Sequence, residues 1–386
     1  MIIGIDARPL VTRQISGAEQ HARNVVSQWA AMKLPHNFVL FCDKAQQAGP
    51  LFDQSFIAAL PSYFRPVFIS SYDFALGWHW AARLLPILPR ALARYQVDVY
   101  HSFTPAVPRT HICPVVQTIH DLAFELDATV RHYPESREQR RLARLGATWA
   151  RRIVAVSSQT KFDVASLYRV PDAQISVVYN GINPVFVPAH DPTLQEQIRQ
   201  RHNLPRHFIL AVGADIPRRN YGRLFEALKI LWASAPDFYL VVAGRADWAV
   251  SPLYARAQAA GMLSKVLFVN SPTDAELAQL YRSATVTCCA SSFEGFGMSV
   301  LESMACGTPV ACSDMRSLRE VADTAAVYFP HDDPETMGQT LLGLTEDVEY
   351  RRQLKYRGLA RAALFTWKTA AELIMNVLEQ AALRRG

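Results

Sequence analysis

The 386-residue chain has six cysteines (Cys42, Cys113, Cys288, Cys289, Cys306 and Cys312), and none of them falls in a C-x-x-C pair. Most lie in apolar runs, so the pattern predicts buried, reduced thiols in a cytosolic protein rather than a disulfide framework. The first six residues, Met-Ile-Ile-Gly-Ile-Asp, lack a basic leading segment and reach a charge at once. They are therefore not expected to act as a signal peptide. No uninterrupted apolar run has membrane-spanning length. No His, Asp or Cys cluster suggests a metal, and no residue stands out as a nucleophile. Charged residues make up only 19% of the chain against 50% hydrophobic, which excludes a disordered polymer and describes a globular protein. The length exceeds one ordinary core, so two domains are expected. The net charge of +6 favours contact with anions and leaves nucleotides, nucleic acid and anionic lipid open. No aromatic stacking or groove-reading motif supports nucleic acid.

Short apolar runs punctuate the chain at residues 2–5, 37–42, 67–69, 97–101, 113–121, 153–157 and 175–182. They resume at 208–213, 239–244, 266–269, 285–289, 309–312 and 326–329. Such runs read as strands buried on both faces of parallel sheets. Between them lie helical patterns, such as Ala22, Val25, Val26 and Trp29, or Leu224, Leu228 and Leu231. Strand–helix alternation in both halves predicts an α/β chain of two doubly wound Rossmann-like domains facing a shared cleft. Pro184, Pro188 and Pro192 mark the linker. The boundaries expected are 1–185, 186–365 and a terminal helix, 366–386, packing back on the first domain. That helix carries Ala370, Leu373, Ile374, Val377, Leu378 and Ala381 at helical spacing.

Residues 291–309, Ser-Ser-Phe-Glu-Gly-Phe-Gly-Met-Ser-Val-Leu-Glu-Ser-Met-Ala-Cys-Gly-Thr-Pro, organise the second half. Gly295 and Gly297 permit a sharp turn and close approach of a ligand. A helix starting near Gly297 or Met298 would aim its N–H groups and positive dipole end at a phosphate or diphosphate. Glu294 precedes the helix and Glu302 lies a turn into it, so each can reach hydroxyls on one side of a diphosphate. The plainer reading makes them a surface-loop and a solvated helix residue.

Other candidates are weaker by themselves. Gly17 lies in a strand–loop–helix segment that suits a phosphate cradle or an ordinary turn. His120 and Asp121 stand at a strand's carboxyl end, where parallel sheets bind ligands; a histidine bonded within its own loop is the alternative. Arg218 and Arg219 follow the first strand of the second half and suit a diphosphate. Residues 131–152 carry seven arginines against Glu135 and Glu138, with Leu142, Leu145, Trp149 and Ile153 near helical spacing. They form a solvated helix face or a basic face for an anionic membrane. The stretch from Trp78 to Leu88 is either core or an apolar surface near a greasy acceptor.

Taken together, Ile5-Asp6-Ala7-Arg8-Pro9 with Ser16-Gly17, Thr118-Ile119-His120-Asp121, residues 153–157, Val178-Tyr179-Asn180-Gly181-Ile182, Pro217-Arg218-Arg219-Asn220 and the E-x7-E element with Cys306-Gly307-Thr308-Pro309 strongly resemble the retaining glycosyltransferases of family 4. Those enzymes have the two-domain GT-B fold. The resemblance covers nearly the whole chain in order. It implies that Glu294 holds hydroxyls of the transferred sugar, that the amides around Phe296, Gly297, Met298 and Ser299 meet sugar and diphosphate, and that Glu302 binds the ribose. It also implies that His120 meets the donor sugar, with Asp121 beside it, that Gly17 lies beside the phosphates, that Arg218 and Arg219 stabilise the leaving group, and that the base rests near Asn270 and Ser271. The family usually has lysine as the second basic residue, whereas this chain has Arg219, a planar fork in place of a point charge. A frequent upstream arginine falls near Ala214, and Ser16-Gly17 replaces the two adjacent glycines of many relatives.

By that resemblance the reaction is metal-independent hexosyl transfer with retention, needs no cofactor, and uses the nucleotide-sugar as substrate. The opening motif and P-R-R-N look like bacterial mannosyltransferases of O-antigen and exopolysaccharide synthesis. GDP-mannose is the expected donor and UDP-glucose the runner-up. The expected acceptor is a glycan or polyprenyl-diphosphate-linked oligosaccharide, met in the cytoplasm or peripherally on the inner membrane face. A sugar-nucleotide epimerase of the same fold is the rival reading.

Overall fold

The computed structural model describes residues 1–13, 16–70, 87–105, 107–131, 133–189, 191–244 and 247–383. It divides into two units. One comprises Met1–Leu126, Arg131–Gly181 and Thr366–Gly386; the other comprises Asp127–Val130 and Ile182–Phe365. Most of the Trp78-to-Leu88 segment, along with Gln14 and Ile15, lies outside the described residues; Leu88 itself is buried in the core.

The first unit is built on seven strands: β1 (Ile2–Asp6), β2 (Asn37–Asp43), β3 (Phe64–Ile69), β4 (Val99–Ser102), β5 (Val115–Ile119), β6 (Arg152–Ala155) and β7 (Ile175–Val177). All pairings are parallel, in the order β3-β2-β1-β4-β5-β6-β7. β3 begins earlier than the apolar run 67–69 because it accommodates Pro66, which an edge strand tolerates. β7 ends at Val177, earlier than the run to Ile182 suggests.

Helix Gly17–Met32 covers this sheet with Ala22, Val25, Val26 and Trp29, and the Trp29 indole N–H donates to Ala371 O at 2.9 Å. Ala371 belongs to the terminal helix Trp367–Leu383, which buries Ala370, Ile374, Val377, Leu378 and Ala381. Leu373 of the same sequence stripe is 42% exposed instead.

Helix Pro134–Trp149 corrects a second expectation. Its buried face is Ala143, Gly146 and Ala147, while Leu142, Leu145 and Trp149 are only half-buried. A Cβ on Gly146 would lie 2.6 Å from Gln117 Nε2 and 2.9 Å from Pro105 O. The helix thus packs by close backbone approach, which small residues permit and a leucine stripe does not.

The second unit has six strands: β8 (Phe208–Val212), β9 (Tyr239–Gly244), β10 (Val266–Asn270), β11 (Val286–Cys289), β12 (Val310–Ser313) and β13 (Ala326–Phe329). They too are parallel, in the order β10-β9-β8-β11-β12-β13. Leu224, Leu228 and Leu231 of helix Tyr221–Ser234 are fully buried in its core, each contributing about 1.5–3 kcal/mol. Pro192 opens helix Pro192–Arg201, whose first turn is capped by Asp191.

All six cysteines are buried and none is disulfide-bonded. Among the described residues no helix is long and apolar enough to cross a membrane. In each sheet the strand order reverses once, between β1 and β4 and between β8 and β11. Loops leaving the carboxyl ends at such a reversal diverge and open a crevice.

Candidate functional site

In the second unit two loops leave this reversal. One follows β8 and carries a short 3-10 turn, Pro217–Arg219; the other follows β11 and ends at helix Met298–Ala305. Their side chains meet. The Glu294 carboxylate accepts from Arg219 Nη1, from Arg218 Nη1 at 3.4 Å and from Ser291 Oγ at 2.8 Å. Glu294 is 7% exposed, so the surface-loop reading is overturned. Burial alone would raise its pKa; Arg219 and then Arg218 and Ser291 outweigh that and hold the carboxyl below its ordinary range. Conversely, burial would lower the Arg219 pKa, and the Glu294 charge raises it instead.

Both loops are tied down by neighbours that the sequence reading assigned no role. Asn220, with φ of 58°, donates from Nδ2 to Ala290 O at 3.1 Å and His331 O at 2.7 Å. Ser313 Oγ donates to Ser291 O and Ser317 Oγ to Glu294 O, each at 2.6 Å. Asn220 had a signal in the P-R-R-N element; the two serines had none, because only the fold carries the β12 end to the Glu294 loop.

Helix Met298–Ala305 starts after Gly297, whose φ of 106° and ψ of 52° are left-handed. A Cβ at Gly297 would stand 2.5 Å from Leu318 Cδ2. Phe296 is buried and meets the Phe365 ring edge-on at 5.9 Å, so its side chain anchors the loop. Ser299 is buried and Met298 half-buried. Glu302 is also 7% exposed, contrary to the solvated-helix reading, and accepts from the Tyr281 hydroxyl at 2.9 Å. Burial pushes its pKa up to about 8, with Asp274 adding to the rise and the Tyr281 hydrogen bond and Arg219 opposing it. Asn270 and Ser271 are exposed at the carboxyl end of the edge strand β10; Ser271 Oγ donates to Asn270 Oδ1 at 3.1 Å.

The first unit carries its own polar cluster at the β1/β4 reversal. Arg8 donates to Asp6 through Nε at 2.8 Å and Nη2 at 2.6 Å, and Thr104 Oγ1 donates to the same carboxylate at 3.0 Å. This clamp accounts for Asp6 and Arg8 of the opening motif. Further along, His120 Nε2 lies 3.3 Å from Phe103 O. A carbonyl only accepts, so Nε2 carries the proton. Burial lowers the pKa of His120, though Asp121 and the Phe103 bond oppose it. The ring of His21 meets it edge-on at 4.9 Å and is itself held by Asn180 Oδ1, 2.8 Å from Nδ1. His21 and Asn180 also went unassigned, although Asn180 stands in the Val178-Tyr179-Asn180-Gly181-Ile182 element. Asp121 Oδ1 accepts from Ala123 N at 3.0 Å and so caps the following turn.

Gly17 is exposed at the first turn of its helix. A Cβ there would meet nothing within 4 Å among the described residues.

Much of the arginine-rich stretch is engaged internally. Arg141 pairs with Glu138 and Arg144 with Glu125, Arg140 donates to Phe124 O and Arg131 O, and Arg152 donates to Ala173 O and Gln380 Oε1. Among the described residues no group of three or more His, Cys, Asp or Glu is placed to hold a metal ion.

Comparison with known proteins agrees with this geometry. Residues 15–186 match the description Glycosyltransferase Family 4, and residues 195–361 match Glycosyl transferases group 1. O-antigen chain mannosyltransferase B of Escherichia coli is 25% identical over 290 residues, 74% of this chain and 75% of that one. O-antigen chain mannosyltransferase RfbU of Salmonella typhimurium is 29% identical over 58% of this chain and 60% of its own length. A glycosyltransferase of Methanocaldococcus jannaschii is 30% identical over 277 residues, 69% of this chain and 70% of that one. Among solved structures, sucrose-phosphate synthase from Thermosynechococcus elongatus superposes with a TM-score of 0.75 at 19% identity, covering 98% of each chain. WaaG, a glycosyltransferase of lipopolysaccharide biosynthesis, superposes at 0.73 and 17% identity, over 98% of this chain and 99% of that one. With two parallel α/β units of the GT-B type, this chain belongs to glycosyltransferase family 4.

Proposed function

We propose that the protein transfers a mannosyl group, with retention of configuration, from GDP-mannose to a hydroxyl of a glycan or polyprenyl-diphosphate-linked oligosaccharide in surface polysaccharide synthesis. The observation that carries the transfer reading is the cluster of buried Glu294 with half-buried Arg218 and Arg219 beside the start of helix Met298–Ala305. The mannose assignment rests on the O-antigen mannosyltransferases among the relatives. The two arginines and the helix start stabilise the diphosphate as its bond to the sugar breaks. The acceptor oxygen enters on the same face, and a leaving phosphate oxygen takes its proton. Glu294 holds sugar hydroxyls; its engagement with Arg219, Arg218 and Ser291 supports a holding role over a covalent nucleophile. Glu302 receives the ribose, Asn270 and Ser271 lie toward the base, and His120 of the first unit accepts a sugar hydroxyl through Nδ1. No metal or cofactor is required in this scheme. Work at the inner face of the cytoplasmic membrane belongs to the same proposal, since the acceptor is lipid-linked.

A thermal-shift panel of GDP-mannose, UDP-glucose, UDP-N-acetylglucosamine and GDP tests the donor, because a ligand that binds only the native state raises the melting temperature. GDP-mannose and GDP are expected to stabilise selectively. Selective stabilisation by a uridine nucleotide overturns the mannose assignment, and donor consumption without acceptor product favours an epimerase. The anomeric configuration of the product, read by NMR, tests retention.

Gly17 supplies a second test. Among the described residues nothing fills the space its Cβ would take; the phosphates are proposed to lie there. Gly17→Ala is expected to keep the wild-type melting temperature and raise the donor KM about tenfold, the loss of about 1.4 kcal/mol of binding. An unchanged KM removes Gly17 from the donor site.

A further inference from the structure

Tyr281 has no part in the scheme so far, yet it is fully buried and its hydroxyl has a defined partner. It lies on helix Asp274–Ser283, and its phenol donates to Glu302 Oε2 at 2.9 Å. The residue is fixed from two further sides: its carbonyl accepts from Thr308 Oγ1 at 2.6 Å, and the Phe186 ring meets its ring edge-on at 6.0 Å. A buried phenol aimed at a buried carboxyl is a costly arrangement unless the carboxyl is needed there, because an aliphatic pair would pack without desolvating either group.

We infer that Tyr281 is a positioning residue for nucleotide binding: its hydroxyl fixes Glu302 through Oε2 in the place where two ribose hydroxyls meet that carboxyl. The inference rests on the reading of Glu302 as the ribose group. Two hydroxyls donate well to a carboxylate, whereas a carboxylic acid spends one oxygen on its own proton. Burial pushes Glu302 to about 8, so at neutral pH the ligand-free carboxyl is mostly protonated and nucleotide binding is coupled to proton release. The groups acting on it are the Tyr281 hydrogen bond, which lowers the value, Asp274 on the same helix as Tyr281, which raises it, and Arg219 from the β8 loop, which lowers it. Cys306, just past the end of the Glu302 helix, also senses the Glu302 charge. Loss of the phenol removes a lowering contribution, so the Glu302 pKa must rise further.

The test is the dissociation constant of GDP and of UDP, measured by calorimetry from pH 6.5 to 9.5 on the full chain. Wild-type affinity is expected to rise about thirtyfold across this range as Glu302 ionises. Tyr281→Phe is expected to weaken binding about fivefold to tenfold near pH 7.5, with the gap closing toward pH 9.5, an upward shift of the midpoint by up to about one pH unit. Site-specific 3-fluorotyrosine at 281 keeps the shape and strengthens the donor, so its midpoint is expected to fall below wild type; it serves as the measurement if Tyr281→Phe does not fold. A loss in Tyr281→Phe that is constant with pH, an unchanged constant, or an unmoved midpoint with 3-fluorotyrosine overturns the inference. Glu302→Gln separates this from the underlying reading. If it binds nucleotide as wild type does, the ribose role of Glu302 fails. If it binds weakly and without pH dependence while Tyr281→Phe matches wild type, only the role of Tyr281 fails.

Discussion

Glu294→Gln is expected to lower kcat about 10²–10³-fold, the size of effect seen when a pre-organised charged contact to a transition state is removed. The loss should fall on kcat more than on donor KM, since the proposed contacts of this cluster strengthen as charge develops at the sugar and the leaving group. The carboxylate holds its two basic neighbours in place. Arg218 and Arg219 keep about a fifth of their side-chain surface in water and both donate to Glu294. With a neutral amide at 294 two guanidinium groups face each other without a counter-charge, and the pair that should meet the diphosphate is displaced as well as the group that holds the sugar. Removing one partner of a buried pair also costs about 3 kcal/mol of stability. The sign of the pH dependence follows from the direction of the shift. Glu294 is held below the ordinary carboxylate range, so its contribution is present above its unfolded pKa and is lost as pH falls through the folded value. Denaturant melts of wild type and variant should therefore differ most near neutrality and converge in acid. Full transfer rate in Glu294→Gln, together with full rate in Arg219→Ala, removes this cluster from the chemistry.

The parts of this arrangement were legible in the sequence to different degrees, for physical reasons. The strands were the plainest, because a parallel strand buried on both faces must be apolar throughout, as Phe208–Val212 and Tyr239–Gly244 are. The candidate site residues were singled out by their place after such runs. Their pairing was not legible. Arg219 and Glu294 are 75 residues apart, and they meet because β8 and β11 are neighbours across the reversal of strand order, which no local pattern encodes. Supports such as Ser313, Ser317 and Tyr281 were hidden for the same reason. The misread faces have a different cause. Hydrophobicity pointed to Leu142, Leu145 and Trp149, whereas helix Pro134–Trp149 gains more by bringing its backbone close to β5 through Ala143, Gly146 and Ala147. Leu373 matched the stripe of the terminal helix by spacing but stands at its margin, 42% exposed.

Gly297→Val is expected to abolish most activity through the backbone alone, about 100-fold in kcat/KM for the donor. Position 297 has φ of 106°, a conformation that costs a β-branched residue at least about 1–3 kcal/mol. The new Cβ would also fall 2.5 Å from Leu318 Cδ2, so the loop must move. The segment that moves carries the first turn of helix Met298–Ala305, and a shift of about 1 Å in the amides proposed to meet a diphosphate is enough for the loss expected. Stability falls too, so the measurement needs a control of matched backbone cost that leaves the helix start alone. Gly307 provides it. It follows the same helix at its far end with φ of 78°, and a Cβ there would meet the flexible Lys355 side chain at 3.2 Å. Gly307→Ala is expected to lose about 1–2 kcal/mol of stability from the left-handed backbone and to keep near wild-type transfer at a temperature where both variants are folded. Equal loss of activity in the two variants would trace the defect to the helix as a whole. Loss in Gly297→Val alone assigns the anion-binding role to the helix start, where the Glu294 loop and the β8 arginines converge.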